Sequence, residues 1–390
     1  MSTTDKSLYP VWVEISRSAL KNNINELKKN INIFNRNIKF CGVIKSNAYG
    51  HGLIETAQII ENDIDFFGVN ALWEAIEIVN KLKTTKPIIV LGYTPLNALN
   101  NIVNYPNVRI IVYNIETLEK LNQLAEKNKI ELNVHIKVET GTGRQGITEE
   151  QLPNFILFFK NSKYIKLEGI STHFANIEDT TNHVYYKYQL NKFKEFVELF
   201  KQKGIDIPIK HTACTAACIL FSDTYFNMIR PGIGLYGLWP SKETYLSCLI
   251  EGREMLNLQP VLTFKTKIAQ IKQLPVNSYI GYGCTYKTTT PTKIAILPVG
   301  YYDGYDRKLS NQGFVIIRNR RAPIIGRICM NITMVNITHI EDAQLEDEVI
   351  LLGSSADETI SAENIAAICG TINYEIVTRI NQVLPRIIVD

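Results

Sequence analysis

VRIIVYNIETLEKLNQLAEKNKIELNVHIKV, residues 108 to 138, contains the smallest unit from which the fold can be argued. It opens on a β-rich run (108 to 113), passes through a helical pattern (115 to 127) and ends on a second β-rich run (132 to 138). Runs that are apolar on nearly every residue suit parallel strands covered on both faces. The same unit recurs on either side of it. From residue 39 to about 236 the runs are FCGVIK (40 to 45), DFFGVN (65 to 70), PIIVLGY (87 to 93), VRIIVY, LNVHIKV, LEGISTHF (167 to 174), IPIKHT (207 to 212) and FNMIRPGIGLYG (226 to 237). ALWEAIEIVNKL (71 to 82) and YKYQLNKFKEFVELFKQKG (186 to 204) supply further helices. The latter places Tyr188, Phe193, Phe196, Val197 and Phe200 on its apolar side, with Gly204 at its end. Eight β-then-α units imply a (β/α)8 barrel, whose functional face is the C-terminal end of the strands.

After about residue 250 strand signals follow one another without long helices: 261 to 271, 293 to 299, 314 to 328, 332 to 337 and 348 to 353. They predict a second, mainly antiparallel β domain, closed by short helices near 361 to 369 and 374 to 380. The expected division is a barrel over 12–250 and a β domain over 251–390, with residues 1–11 as a candidate to pack on the latter. A chain of 390 residues is long enough for both.

Composition narrows the function. Forty-two basic and 38 acidic residues are mixed along the chain for a net charge of +4, and no Lys/Arg block marks a nucleic-acid surface. A small anionic ligand suits that balance better than a polyanion. No run approaches the roughly 18 apolar residues of a membrane span. The N-terminus, MSTTDKSLYP, lacks an apolar stretch of signal-peptide type. Seven scattered cysteines read as reduced thiols, so the expectation is a cytoplasmic protein without nucleic-acid or membrane partners. No metal site is expected, since Cys214 and Cys218 have no second pair and the histidines lack ligand spacing.

The chemistry should lie at the strand ends. Lys45 closes the first barrel strand in GVIKSNAYGHG (42 to 52). A buried ammonium is costly unless paired or neutralised, and a neutral amine attacks carbonyls. The plainer alternative is a strand-end lysine that snorkels to water. Lys137 and Arg144 flank a Gly-rich loop after the fifth strand, and His173 ends the sixth. Thr215 follows the seventh, while Arg230, Gly232 and Ile233 follow the eighth. Loops after strands seven and eight commonly hold a phosphate in such barrels, using backbone N–H groups and a hydroxyl. Each glycine taken singly could equally mark only a tight turn. A carbonyl-reactive lysine with a phosphate cradle on one face points to pyridoxal 5'-phosphate, although the residues alone leave the cofactor open.

GVIKSNAYGHG, VETGTGRQG, STHFAN, RPGIGLYG, GYGCTY, LPVGYYDGYDR, GRICMN and NYEIVTRI occur in the order found in alanine racemases, and over essentially its whole length the chain resembles that family. The resemblance implies an isomerase that interconverts L- and D-alanine on pyridoxal phosphate and supplies D-alanine for peptidoglycan. It also implies a head-to-tail homodimer whose active sites combine one subunit's barrel with the other's β domain. Lys45 then matches the Schiff-base lysine and Tyr282 the opposing catalytic tyrosine. Arg230 matches the donor to the pyridine nitrogen, with His173 linking it toward the tyrosine. Tyr49, Thr215, Gly232, Ile233 and Tyr374 match phosphate contacts. Arg144 and Met330 match residues near the substrate carboxylate, Lys137 a lysine carbamylated in several members, and Tyr301, Arg307 and Arg327 the entryway. Two departures stand out: Cys214 where many members have asparagine, and Asn331 where an aspartate is usual.

The resemblance gives Lys45 and Tyr282 opposite faces of the substrate, because one base cannot easily remove a proton from one face and return it to the other. Tyrosine's reference pKa of about 10 means that Tyr282 needs nearby cations to act as a base. Without the ordered set of motifs, Tyr282, Tyr301 and neighbouring tyrosines would pass for packing aromatics. Competing readings are a serine or broader amino-acid racemase, a barrel-type amino-acid decarboxylase and a non-enzymatic cofactor-binding protein. The decarboxylase's triple-glycine phosphate loop is absent, and the non-enzymatic class lacks the further 140 or so residues that carry Tyr282.

Overall fold

The structure, a computed structural model, describes residues 8–32 and 37–390. The first seven residues, part of the 1–11 segment expected on the β domain, lie outside the described residues. The chain folds as two compact units. One comprises Leu20–Ser46 and Thr56–Gln259, the other the described residues up to Ala19 with Asn47–Glu55 and Pro260–Asp390.

The chain opens with strand β1 (Val11–Ser16) and a helix over Arg17–Asn30. Eight parallel strands follow: β2 (Lys39–Val43), β3 (Phe66–Val69), β4 (Ile88–Val90), β5 (Val108–Val112), β6 (Leu132–Lys137), β7 (Ile165–Ser171), β8 (Ile209–His211) and β9 (Met228–Ile229). Each of the eight runs read from hydropathy overlaps one of them, with β2 starting one residue and β7 two residues before its run. Their order in space is β8-β7-β6-β5-β4-β3-β2-β9. The ring is nearly closed by single hydrogen bonds in place of a ladder: the Arg230 amide donates to the Ala213 carbonyl at 2.9 Å, and the Lys210 amide to Asn227 Oδ1 at 2.8 Å. Inward-pointing Cys41, Phe66, Ile89, Ile111, Ile209 and Met228, one from each of six strands, fill the interior as a packed layer.

The intervening helices follow the expected amphipathic logic. Ile115–Asn128 is capped by the Asn114 side chain, which accepts from the Thr117 amide, and ends on Lys129 in the left-handed conformation. The helix Val184–Gln202 buries Tyr186, Leu190, Phe193, Phe196 and Phe200. Tyr188, expected on that face, is exposed, because two residues at about 100° each carry it to the far side from Tyr186. It stacks instead on Tyr185, ring centroids 5.8 Å apart.

The other unit is mainly antiparallel, as the strand-after-strand pattern predicts. Its strands are β10 (Leu262–Lys267), β11 (Gln270–Leu274), β12 (Tyr279–Ile280), β13 (Tyr286–Lys287), β14 (Thr292–Leu297), β15 (Phe314–Ile317), β16 (Arg320–Pro323), β17 (Thr333–Asn336), β18 (Glu348–Ser355), β19 (Glu358–Ile360) and β20 (Arg386–Val389). The largest sheet runs β16-β15-β18-β10-β1-β20, with β19 on β18. Strand β1 is antiparallel to β10 and parallel to β20, so residues 11 to 16 belong to this sheet. A three-stranded sheet, β11-β14-β17, packs Ile280, Ile294, Ile325 and Met334. The closing helices are Ala362–Cys369, capped by Ser361, and Asn373–Thr378.

Candidate active site

In the barrel unit, Lys45 follows β2 after a single residue, Ile44. Burial lowers its pKa and the nearby Arg144 cation lowers it further, against the opposing pull of Glu74 and Glu178. The residues that come next, Ser46, Asn47, Ala48 and Tyr49, all have φ between 52° and 56°, a turn of left-handed helix. Each such residue costs an L-amino acid about 1–2 kcal/mol, so the run must be held from outside. Glu74 accepts the Ser46 amide at 2.6 Å and also takes the Asn70 and Ala71 amides. In the other unit, the Asn47 side chain accepts the Leu53 amide at 2.8 Å, and Arg386 donates to the Gly50 carbonyl at 3.0 Å.

Lys137, at the end of β6, is buried and donates to Gln145 Oε1 at 3.2 Å, with Gln145 in turn donating to the Tyr113 hydroxyl. Burial and the cations Arg144, Arg230 and Lys45, only partly offset by Glu139, bring its pKa down to about 7. The Gly-rich loop is folded around the Glu139 carboxylate, which accepts the Gly141, Thr142 and Arg144 amides. Burial would raise that carboxyl's pKa, but the amide bonds hold it below the usual range. His173 is held far below the ordinary imidazole value by burial and by the charges of Arg230, Lys137, Arg144 and Lys45. It is therefore neutral.

Arg230 is buried at the end of β9 and its hydrogen bonds are heavily committed. Nη1 donates to His211 Nδ1 at 2.7 Å and to the His211 carbonyl at 2.6 Å. Nη2 donates to the carbonyls of Thr172 at 2.8 Å and Thr212 at 3.2 Å. Of the five guanidinium N–H groups, four are spent, and among the described residues Nε–H alone is left for an incoming acceptor. None of these bonds goes to His173, which senses Arg230 through its charge. Next to it the Thr215 hydroxyl accepts the Gly232 amide at 2.9 Å and the Gly234 amide at 3.3 Å, gathering the expected phosphate-loop residues, with Ile233 between them. Cys214 Sγ lies 3.7 Å from Glu178 Oε1, and burial pushes its thiol up to about 12.

The β unit carries the remaining candidates. Tyr282 is 73% exposed on a short turn between Gly281 (φ 71°) and Gly283 (φ 74°). A Cβ on Gly283 would lie 2.8 Å from Arg327 Nη1, so that glycine also admits the arginine. Tyr301 and Met330 are exposed on two segments joined by Tyr301 N to Cys329 O (3.1 Å) and Tyr302 N to Met330 O (3.0 Å). Arg307 begins a one-turn segment capped by Asp306. Asn331 donates to Asp303 at 3.5 Å, so the carboxylate missing at position 331 has a near neighbour that retains one. The rings of Tyr49 and Tyr374 lie 6.1 Å apart.

Sequence reasoning passes over His211, Glu74 and Gln145. Read locally, His211 is weighed only as a metal ligand, and its actual partner, Arg230, is brought to it by the seam between β8 and β9.

The alanine racemase N-terminal domain matches residues 15–240 and the alanine racemase C-terminal domain residues 261–388. An alanine racemase of Leptospira interrogans is 40% identical over all of this chain and 98% of its own length. That of Methanococcus maripaludis is 39% identical over 97% of this chain and 98% of its own. Among solved structures, alanine racemase of Clostridium difficile 630 superposes with a TM-score of 0.89 at 36% identity, covering 98% of this chain and 96% of the other. The Bacillus anthracis enzyme with bound L-Ala-P gives 0.88 at 33% identity, covering 98% and 95%.

Proposed function

Because the chain belongs to the alanine racemase family, whose members depend on pyridoxal phosphate, we propose that it interconverts L- and D-alanine as a homodimer, with pyridoxal phosphate held by its barrel unit. The observation that carries this reading is the state of Arg230 and Lys45. Among the described residues one buried guanidinium has a single N–H left to offer, and one partly buried strand-end amine has a depressed pKa. These residues fit the cofactor's chemistry. Thr215 with the Gly232 and Ile233 backbone would hold its phosphate. Arg230 Nε–H would meet its ring nitrogen, and Lys45 its carbonyl carbon.

When bound, the cofactor acidifies the substrate's Cα–H by conjugation. The chain's own residues then have three tasks. Lys45, with its amine biased toward the neutral form, takes or returns the Cα proton on the D side. Tyr282, presented outward on two glycines, serves the L side across the subunit boundary, since each site would pair one subunit's Lys45 with the other's Tyr282. Arg230 would donate to the ring nitrogen without giving up a proton, because a guanidinium is a pure hydrogen-bond donor. Arg230 would thereby leave the ring nitrogen unprotonated.

Arg144 and Met330 are assigned to the substrate carboxylate, and Tyr301, Arg307 and Arg327 to the entryway. Lys137 suits carbamylation: an amine with a pKa near 7 has neutral form available to attack carbon dioxide, and losing its proton gives a carbamate anion among three cations. Production of D-alanine for peptidoglycan and a cytoplasmic setting belong to the same proposal. Among the described residues no helix is long and apolar enough to cross a membrane.

The test is racemisation of L-alanine and, separately, D-alanine by the purified protein with pyridoxal phosphate, against Lys45→Ala. Turnover in both directions that vanishes in the variant is expected. Release of carbon dioxide in place of the other enantiomer would reject the proposal.

A further inference from the structure

Behind Arg230 runs a chain of polar groups that the proposed function does not use. His211 Nε2 lies 2.9 Å from His135 Nδ1, and His135 Nε2 lies 3.0 Å from Glu168 Oε2. Glu168 is gripped by Arg109, whose Nε reaches Oε2 at 3.0 Å and whose Nη2 reaches Oε1 at 3.3 Å. The five residues come from the end of β9 and from β8, β6, β7 and β5, so the chain crosses the barrel interior. His135 and His211 are fully buried.

The direction of every hydrogen in this chain follows from one fact. A guanidinium only donates, so His211 Nδ1 must accept from Arg230 and the proton of His211 sits on Nε2. That proton is donated to His135 Nδ1, which places the proton of His135 on Nε2, where it is donated to the Glu168 carboxylate. Both imidazoles are then neutral. Their pKa values are lowered, chiefly by burial, and Glu168 is held down to about 2 by its bonds to His135 and Arg109 in spite of burial. Arg230 itself bonds three carbonyls and an imidazole, none of them anionic, so the carboxylate that faces it does so through two rings.

Two features of the backbone are shaped around this chain. Pairing of β6 with β7 matches Val134 to Leu167 and then His135 to Gly169, skipping Glu168. Such a bulge re-aims a side chain. At Gly169 a Cβ would sit 2.2 Å from His135 Nδ1, so no larger residue leaves room for the ring where it lies.

We propose that Glu168, His135 and His211 form a positioning relay that fixes the orientation of Arg230 and so leaves Nε–H as the single donor presented to the cofactor's ring nitrogen. The relay rests on the reading of Arg230 given above, and its test is separable from it. The full-length protein is labelled with 15N-histidine, and the tautomers of His135 and His211 are read by NMR without cofactor. Pyridoxal phosphate affinity, kcat and KM are then measured on the same preparations. Both rings are expected as neutral Nε2–H tautomers in the parent. His135→Leu removes the acceptor for His211 and is expected to populate its Nδ1–H tautomer, weaken pyridoxal phosphate binding about tenfold and lower kcat about tenfold. His135→Asn, which keeps an acceptor oxygen near the Nδ1 position, should restore the parent tautomer and most of the affinity. Glu168→Gln is nearly isosteric and keeps the protein measurable should the histidine variants fail to fold. It is expected to move the His211 nitrogen shifts and lower kcat several-fold at unchanged KM. The relay is overturned if His211 in the parent carries its proton on Nδ1. It is equally overturned if the soluble variants lose only thermal stability while tautomers, affinity and kcat stay at parent values. A parent that shows both Nε2–H tautomers yet fails to racemise alanine would defeat the functional reading and leave the relay standing.

Discussion

Arg230 and Tyr282 are assigned to one reaction but live in opposite surroundings. The arginine is buried, with four of its five donors engaged by carbonyls and an imidazole. The tyrosine is 73% exposed on a turn whose flanking glycines both take positive φ. A group that must only hold an orientation gains from being over-determined. A group proposed to meet a substrate held by another polypeptide has to be presented outward, and its own chain can supply little packing for it. Substitution should therefore injure the two units differently: through chemistry and folding together in the barrel, through chemistry alone at the tyrosine turn.

Lys45→Ala should produce the largest effect, a loss of racemisation of about 10⁴-fold or more from either enantiomer, measured by polarimetry, because both the nucleophile and one base disappear. Tyr282→Phe should cost about 10²–10⁴-fold in kcat yet leave the thermal midpoint and pyridoxal phosphate absorbance at parent values, as befits an exposed ring. A fall in midpoint as large as that of a buried substitution would erase the contrast. Gly169→Ala, in the barrel, should behave the other way. Its new Cβ meets the His135 ring, and overpacking of this kind costs about 1–3 kcal/mol, read as a lower midpoint in denaturant melts.

A smaller effect separates the units by pH. An unfolded lysine keeps its proton until about pH 10.4, whereas Lys137 in the fold loses it near 7. Between these values the unfolded chain binds more protons, so stability must rise with pH, by at most about 1.4 kcal/mol per unit. In carbon-dioxide-free buffer without cofactor, the parent should gain stability from pH 7 to 9 and Lys137→Met should gain less. Equal slopes would place the Lys137 amine outside the cation cluster of Arg144, Arg230 and Lys45. Smallest of all should be Asn331→Asp, within about 0.5 kcal/mol in stability because the position is exposed. Its effect should appear instead as a changed salt dependence of KM.

Much of this architecture is legible in the sequence for a definite reason. Strands β2 to β9 are covered on both faces, so their runs are nearly all apolar, and the polar helices between them punctuate the pattern. Strand β1 is not legible, because its partners Leu262–Lys267 and Arg386–Val389 lie some 250 and 370 residues away and nothing local names them. Lys45, Thr215 and Arg230 stand out as polar residues at apolar strand ends. The left-handed turn does not: of Ser46, Asn47, Ala48 and Tyr49 only the asparagine tolerates positive φ well, and the turn is imposed by Glu74 and by neighbours that local sequence does not reveal. His211 is hidden for the same kind of reason, since its role depends on an arginine 19 residues on that only strand adjacency delivers.

The division of labour between Lys45 and Tyr282 is most directly tested by exchange of the Cα hydrogen in deuterated water, followed by NMR from each pure enantiomer with the Tyr282→Phe protein. Deuterium entering D-alanine at near-parent rate while L-alanine remains protiated is the result expected of two groups serving opposite faces. Equal exchange into both enantiomers would contradict it.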